Sequence, residues 1–172
     1  MGPMTPNTVS STDPPALFNT PLEAGLRAVV VLDAFAPRAF DLASLSLLDY
    51  YVVHSGDLDV SGDERPESLH PAVAARMGEY FVRRRLIEEG LAMMERAFII
   101  ERVADEDGLS FRACGVAAAM VDLMETNYNA HLRKTAHWIA HFAEQEGYDA
   151  FFDRLAQGVS RWAHEIERDP VL

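Results

Sequence analysis

The sequence predicts a mainly helical protein with one short β-hairpin, and three observations carry that expectation. Apolar residues recur at three- and four-residue spacings along most of the chain. One stretch breaks that period: Phe98-Ile99-Ile100-Glu101-Arg102-Val103, a turn-forming Asp105-Glu106-Asp107-Gly108, then the alternating Leu109-Ser110-Phe111-Arg112. Hydrophobic residues make up 49% and charged residues 24% of 172 positions, the balance of a globular chain long enough for a real core.

Residues 1–16 hold Pro3, Pro6, Pro14 and Pro15 among Ser, Thr and Asn, too little apolar surface to offset ordering, and are expected to be a disordered tail. Residues 17–172 are expected to form a single domain. Its first helix begins at Thr20-Pro21-Leu22-Glu23, where threonine caps, proline takes the first helical position and glutamate completes a capping box. Leu22, Leu26, Val29 and Val30 follow at helical spacing, and the helix ends before Pro37. A second helix follows an Asp41 cap, carries Leu42, Leu45, Leu48 and Val52, and stops at Gly56. Asp57 to Glu67 reads as an acidic loop. A third helical region is expected from Pro71 to Arg96, weakened at Gly78 and Gly90.

After the hairpin, three helices are expected. Val116, Met120 and Leu123 mark one; Leu132, Ile139 and Phe142 mark another that stops at Gly147. Tyr148, Phe152, Leu155, Val159, Trp162 and Ile166 mark the last. The expected core comprises Leu26, Val29, Leu45, Leu48, Phe81, Leu91, Ile100, Phe111, Met120, Ile139, Phe152 and Trp162. Three helices followed by a hairpin is the order of a winged helix-turn-helix, so the fold class becomes a winged-helix-like core extended by C-terminal helices.

The formal charge is -12, which argues against a general nucleic-acid coat. Residues 57–68 carry five acids against one arginine, and 105–172 carry twelve acids against six bases; 69–104 carry six arginines against five acids. Within that locally basic stretch, Arg83, Arg84 and Arg85 stand where a recognition helix would begin, and Arg102 and Arg112 would lie on the wing. Guanidinium forks match oxyanions, so these five are candidate contacts for a partner protein or nucleic acid. The plainer reading pairs them with Glu79, Glu88 and Glu89 along the helix.

His137 and His141 stand four apart with Glu144 beyond, a spacing that metal sites use. The His-Glu-x-x-His pattern is absent, and ordinary helix histidines are the better reading, so no metal is assigned. Cys114, the only cysteine, excludes an internal disulfide and reads as structural despite its place at a strand-to-helix junction. Asp49 and His54 of the second helix, with Asp57 and His70 nearby, suggest a buried polar network with an arginine of the third helix. No phosphate loop, nucleophile elbow or Cys-x-x-Cys is present, so no catalytic residue, enzyme activity or cofactor is expected. No run has the length of a membrane span, and a cytoplasmic protein is expected. The broad stripe of the last helix, Phe151 included, suggests a homodimer through the C-terminal helices.

Several motifs together resemble a known family. They are Leu17-Phe18-Asn19-Thr20-Pro21-Leu22-Glu23-Ala24-Gly25-Leu26-Arg27, Leu48-Asp49-Tyr50, Val53-His54-Ser55-Gly56-Asp57 and Ser68-Leu69-His70-Pro71. Arg83-Arg84 followed by Leu86-Ile87 and Gly90-Leu91 fits as well. The chain thereby resembles the second class of middle components of bacterial ABC-three-component systems, from residue 17 to about 170. The resemblance implies a non-enzymatic adaptor between an SMC- or Rad50-like ABC ATPase and an effector, in conflict with phage or plasmids. Direct nucleic-acid binding would then be weak or absent. The alternative is a winged-helix DNA-binding transcriptional regulator using Arg83 to Arg85, Arg102 and Arg112.

Overall fold

The computed structural model describes residues 20–60, 65–106 and 108–168. The expected tail, 1–16, and part of the acidic loop lie outside them. Six helices and three short strands follow in the order α1 (Pro21–Ala34), β1 (Phe40–Asp41), α2 (Leu42–Val53), α3 (Arg76–Arg96), β2 (Ile100–Asp105), β3 (Gly108–Ala113), α4 (Ala117–Asp122), α5 (Asn127–Glu146) and α6 (Tyr148–Arg168). A 3-10 turn, Ser55–Asp57, follows α2.

Local chemistry accounts for the starts. The Thr20 side chain accepts from the Glu23 N–H while Glu23 reaches back to the Thr20 N–H, so the capping box is complete. Asp41 accepts from the Ser44 N–H at 2.7 Å and caps α2. That aspartate also ends β1, a strand too short to read from periodicity. β1 pairs antiparallel with β3 through Phe40↔Phe111, and β2 pairs with β3 on the other side, giving the order β1-β3-β2.

α1 is the central rod. Ala24, Ala28 and the run Val29 to Leu32 are all buried, with α2, α3, α4 and α5 packed around it. Gly147, at φ 94°, makes the abrupt joint between α5 and α6 that a Cβ would strain. No helix among the described residues is long and apolar enough to cross a membrane.

The structure corrects the sequence expectation in several places. Residues 71–75 are not helical, and α3 starts five residues after Pro71; it then runs unbroken through Gly78 and Gly90. Phe81 is 58% exposed rather than core, because the buried face of α3 is Tyr80, Arg83, Ile87, Gly90, Leu91 and Met94. α4 is likewise turned: Ala117 and Val121 are buried, Val116 and Leu123 are exposed, and Met120 is only half-buried. Leu26 and Phe152 are half-buried against the core; the other expected core residues are buried.

The apolar stripe of α6 packs inside this chain from Tyr148 to Trp162, and the Ile166 side chain lies outside what the structure describes. Phe151, Leu155 and Trp162 are buried, with Tyr148, Phe152 and Val159 packed partly buried against the same core. The described part of the stripe that suggested a homodimer is therefore largely covered by this chain's own core.

Candidate functional site

The groups that combine charge, burial and several helices lie where α1, α2, α3 and α5 meet. Asp49 of α2 is 1% exposed and stands between two arginines. Arg27 of α1 donates through Nε to its Oδ1 at 2.7 Å, and Arg83 of α3 donates through Nη1 to its Oδ2 at 3.2 Å. Both arginines are themselves buried, at 3% and 1% exposed. Burial alone would raise the Asp49 pKa; the two guanidiniums outweigh it and hold the carboxyl below its usual range. Burial works against the charge of Arg27 too, and Asp49 more than compensates.

Arg83 spends the rest of its fork on two further groups. Its Nε donates to Glu79 Oε1 at 2.8 Å, and its Nη2 reaches His70 Nδ1 at 2.8 Å. A guanidinium only donates, so His70 Nδ1 accepts and the ring carries its proton on Nε2. That Nε2 then donates to the Tyr128 hydroxyl of α5 at 3.2 Å. His54, at the end of α2, meets the same Glu79 oxygen through Nε2 at 2.8 Å. Burial pushes Glu79 up, and the hydrogen bonds from His54 and Arg83 bring it below its ordinary value.

Local structure explains how His70 arrives there. The loop is stitched to the end of α2: Ser55 Oγ donates to the Pro66 carbonyl at 2.7 Å, and the Gly56 N–H donates to Ser68 Oγ at 2.8 Å. The His70 N–H donates to the Val53 carbonyl at 3.0 Å. Asp57 lies one step away, accepting from the Tyr50 hydroxyl at 2.7 Å and pairing with Arg76 at 3.3 Å. Burial first, then Asp57, pushes the Tyr50 hydroxyl well above its usual value.

Of the residues singled out in the sequence, the structure brings Asp49, His54 and His70 together with Arg83, and Asp57 lies alongside. It does not gather the five arginines. Arg83 is inside, Arg85 is 82% exposed and paired with Glu89, and Arg102 and Arg112 pair with Glu95 and Glu101. His137 and His141 are exposed, and His141 faces Gln145 at 3.0 Å. The Cys114 thiol is raised, by desolvation first and then by Glu101, so it is not a poised thiolate. Sequence reasoning paired Glu79 with the arginine cluster, as Arg83 does bond it, but missed Arg27, Arg76 and Tyr128. Arg27 is the one charged residue between Glu23 and Asp33 of α1, but nothing local to it names Asp49 as its partner.

Among the described residues, one group has metal-ligand composition: His54, His70 and Glu79, with ligand atoms within 4.8 Å of one another. Its donors are already committed. Arg83 bonds both His70 and Glu79, so two of the three groups already hold a guanidinium. The arrangement fits a guanidinium rather than a metal ion. An apolar slot of about 370 Å³ lies beside the network, lined by Leu26, Met124 and Leu132, with Arg27 and Tyr128 also in its wall.

The network joins four helices through residues 27 to 128, and that span falls inside a family match. Residues 17–165 match the family described as ABC-three component (ABC-3C) system Middle Component 2. The chain belongs to that family. For this Middle Component 2 chain, the matched region takes in every helix as far as residue 165, together with the whole network. No curated protein and no solved structure gives a match.

The network makes a pH prediction. His70 is pushed down to about 4 from 6.5, by burial first and then by Arg83, His54 and Arg27, against the opposing pull of Glu79; Tyr128 is the α5 group facing it. A depressed folded value means that the unfolded chain binds a proton the folded chain refuses. The stabilising contribution is therefore complete above pH 6.5 and is lost as pH falls toward 4. Urea titrations at pH 7 and pH 5 are expected to show lower stability at pH 5, and His70→Gln is expected to flatten that slope. An unchanged slope in the variant would remove His70 as its origin.

Proposed function

We propose that this chain is a non-enzymatic adaptor that binds an SMC- or Rad50-like ABC ATPase and couples it to an effector in cytoplasmic defence against phage or plasmids. Membership of the Middle Component 2 family supports the reading. A winged-helix-like core is part of the proposal. The order α1-β1-α2-α3-β2-β3, with a short strand between the first two helices that pairs with the hairpin, supports it.

The outward face of α3 carries the choice between protein and DNA. In a DNA-reading winged helix this face would offer polar groups to base edges and phosphates. Here it offers Phe81 and Val82, at 58% and 56% exposed. Arg83 is turned inward, and Arg85 is paired with Glu89. Large exposed apolar groups beside arginine suit a protein interface, where aromatics and arginine are enriched and bare phosphate is not the partner. The non-enzymatic part of the proposal rests on the ionisable groups of the network being committed to one another.

Two titrations test the reading. Duplex DNA at physiological salt is expected to give no saturable binding, while the ATPase component of the same system is expected to form a stable complex. Tight DNA binding that weakens steeply with salt would favour the regulator instead.

A further inference from the structure

α3 ends in a full Schellman turn. The Phe98 N–H donates to the Glu95 carbonyl at 2.9 Å, and the Ile99 N–H donates to the Met94 carbonyl at 3.1 Å. The residue at the left-handed position of such a turn is usually glycine, because a Cβ there crowds the backbone. In this chain the position is Phe98, at φ 58°, the one non-glycine residue with positive φ among those described. Its side chain is also 81% exposed, the most exposed of the large hydrophobic groups in the described residues. Two unfavourable features thus coincide on one residue, and among the described residues nothing recovers either. Backbone strain of this kind persists where a function holds it.

We infer that Phe98 is the anchor of a protein-docking surface, inserting its ring into an apolar pocket rimmed by carboxylates. The inference rests on the adaptor reading, and within it the occupant is the ABC ATPase component. The surroundings support an apolar contact. The Cys114 N–H donates to the Ile99 carbonyl at 2.9 Å, and Val116, two residues further along the chain, is 51% exposed. The charged neighbours are neutralised as pairs, Glu95 with Arg102 and Glu101 with Arg112. Arg96 is exposed and carries no ion pair among the described residues, so the charge left over at the rim is positive. A partner with acidic groups around its pocket complements it. A second copy is the poorer occupant, because two chains of -12 repel. An exposed aromatic beside an arginine is also the composition of an interface hot spot.

Phe98→Gly separates docking from folding, because its two effects have opposite signs. Relief of the left-handed strain is expected to raise the melting temperature by about 2–4 °C. Affinity for the purified ATPase component, read by isothermal titration calorimetry, is expected to fall at least about 30-fold. Phe98→Asn, which also tolerates the left-handed region, is expected to weaken binding comparably, so the lost ring is responsible and not the freedom of glycine. If wild type and both variants bind the ATPase equally, Phe98 is not the anchor although the adaptor reading stands. Wild type that does not bind the ATPase removes the adaptor reading and this inference with it. A lowered melting temperature in Phe98→Gly would overturn the strain argument. Light scattering that shows a dimer dissolved by Phe98→Gly would make the occupant a second copy and overturn the assignment to the ATPase.

Discussion

Asp49→Ala is expected to cost about 3–5 kcal/mol of folding stability, among the largest losses available from one side chain in this chain. The reason is the company left behind. Arg27 and Arg83 are both nearly fully buried and both face this carboxylate; its removal takes from Arg27 the carboxylate it pairs with, leaves Arg83 with Glu79 as its remaining carboxylate, and sets two guanidiniums beside each other out of water. Urea unfolding at pH 7 measures the loss. The exposed Arg85–Glu89 pair is the internal comparison: Arg85→Ala is expected to change stability by less than about 0.5 kcal/mol. The carboxylate itself supplies a second check. Its folded pKa is depressed, so its contribution is complete above the unfolded carboxylate range and is lost only as pH falls below about 4. That window lies beneath the His70 window, so a pH series separates them. Asp49→Ala stability within about 1 kcal/mol of wild type would mean that the two arginines find other partners, and the network would not be the structural hub its geometry describes.

How much of this was legible in the sequence depends on what each residue advertises. Helix starts were legible because caps are local chemistry: Thr20 with Glu23, and Asp41, act on neighbours three residues away. The hairpin was legible because its turn and its alternation are contiguous. β1 was not, since a two-residue strand exists only through its pairing with Phe111 and Ser110 seventy residues away. The orientation of α3 was misread for a specific reason. Apolar residues normally mark the inner face, but here Arg83 occupies the core position, while Phe81 and Val82 point to solvent. Once Arg83 is recognised as the inward residue, Tyr80, Ile87, Leu91 and Met94 fall into phase with it. The polar site was legible only in part. Asp49, His54 and His70 stand out as polar residues in apolar surroundings, and an arginine of α3 is the natural counter-charge. Arg27 and Tyr128 are assigned by the packing of α1 against α2 and α5, which no local pattern in the chain encodes.

Gly90→Ala is expected to destabilise strongly although alanine is the better helix former, and Gly78→Ala in the same helix is expected to do the opposite. Intrinsic propensity favours alanine at both positions by about 1 kcal/mol. At Gly78 that preference is unopposed: the residue is exposed, and an added Cβ would meet nothing closer than the Ala75 side chain at 4.0 Å. A gain of about 0.5–1 kcal/mol follows. At Gly90 the added Cβ would lie 2.4 Å from the Pro21 carbonyl oxygen, 2.5 Å from the Gly25 nitrogen and 2.8 Å from the Gly25 Cα. Those atoms are backbone, so no rotamer change can clear them. A Cβ added at Gly25 would likewise lie 2.8 Å from the Gly90 carbonyl oxygen, so α1 and α3 approach closely at these two glycines. Forcing the helices apart would cost about 1–3 kcal/mol or more beyond the propensity gain. It would also lengthen the Arg27–Asp49 and Arg83–Asp49 bonds, because α1 and α3 carry the two arginines. Thermal melts of the two variants side by side provide the check: a rise for Gly78→Ala and a fall for Gly90→Ala. Equal behaviour of the two would mean that the helix crossing yields easily, and the geometry of the buried network would then not depend on it.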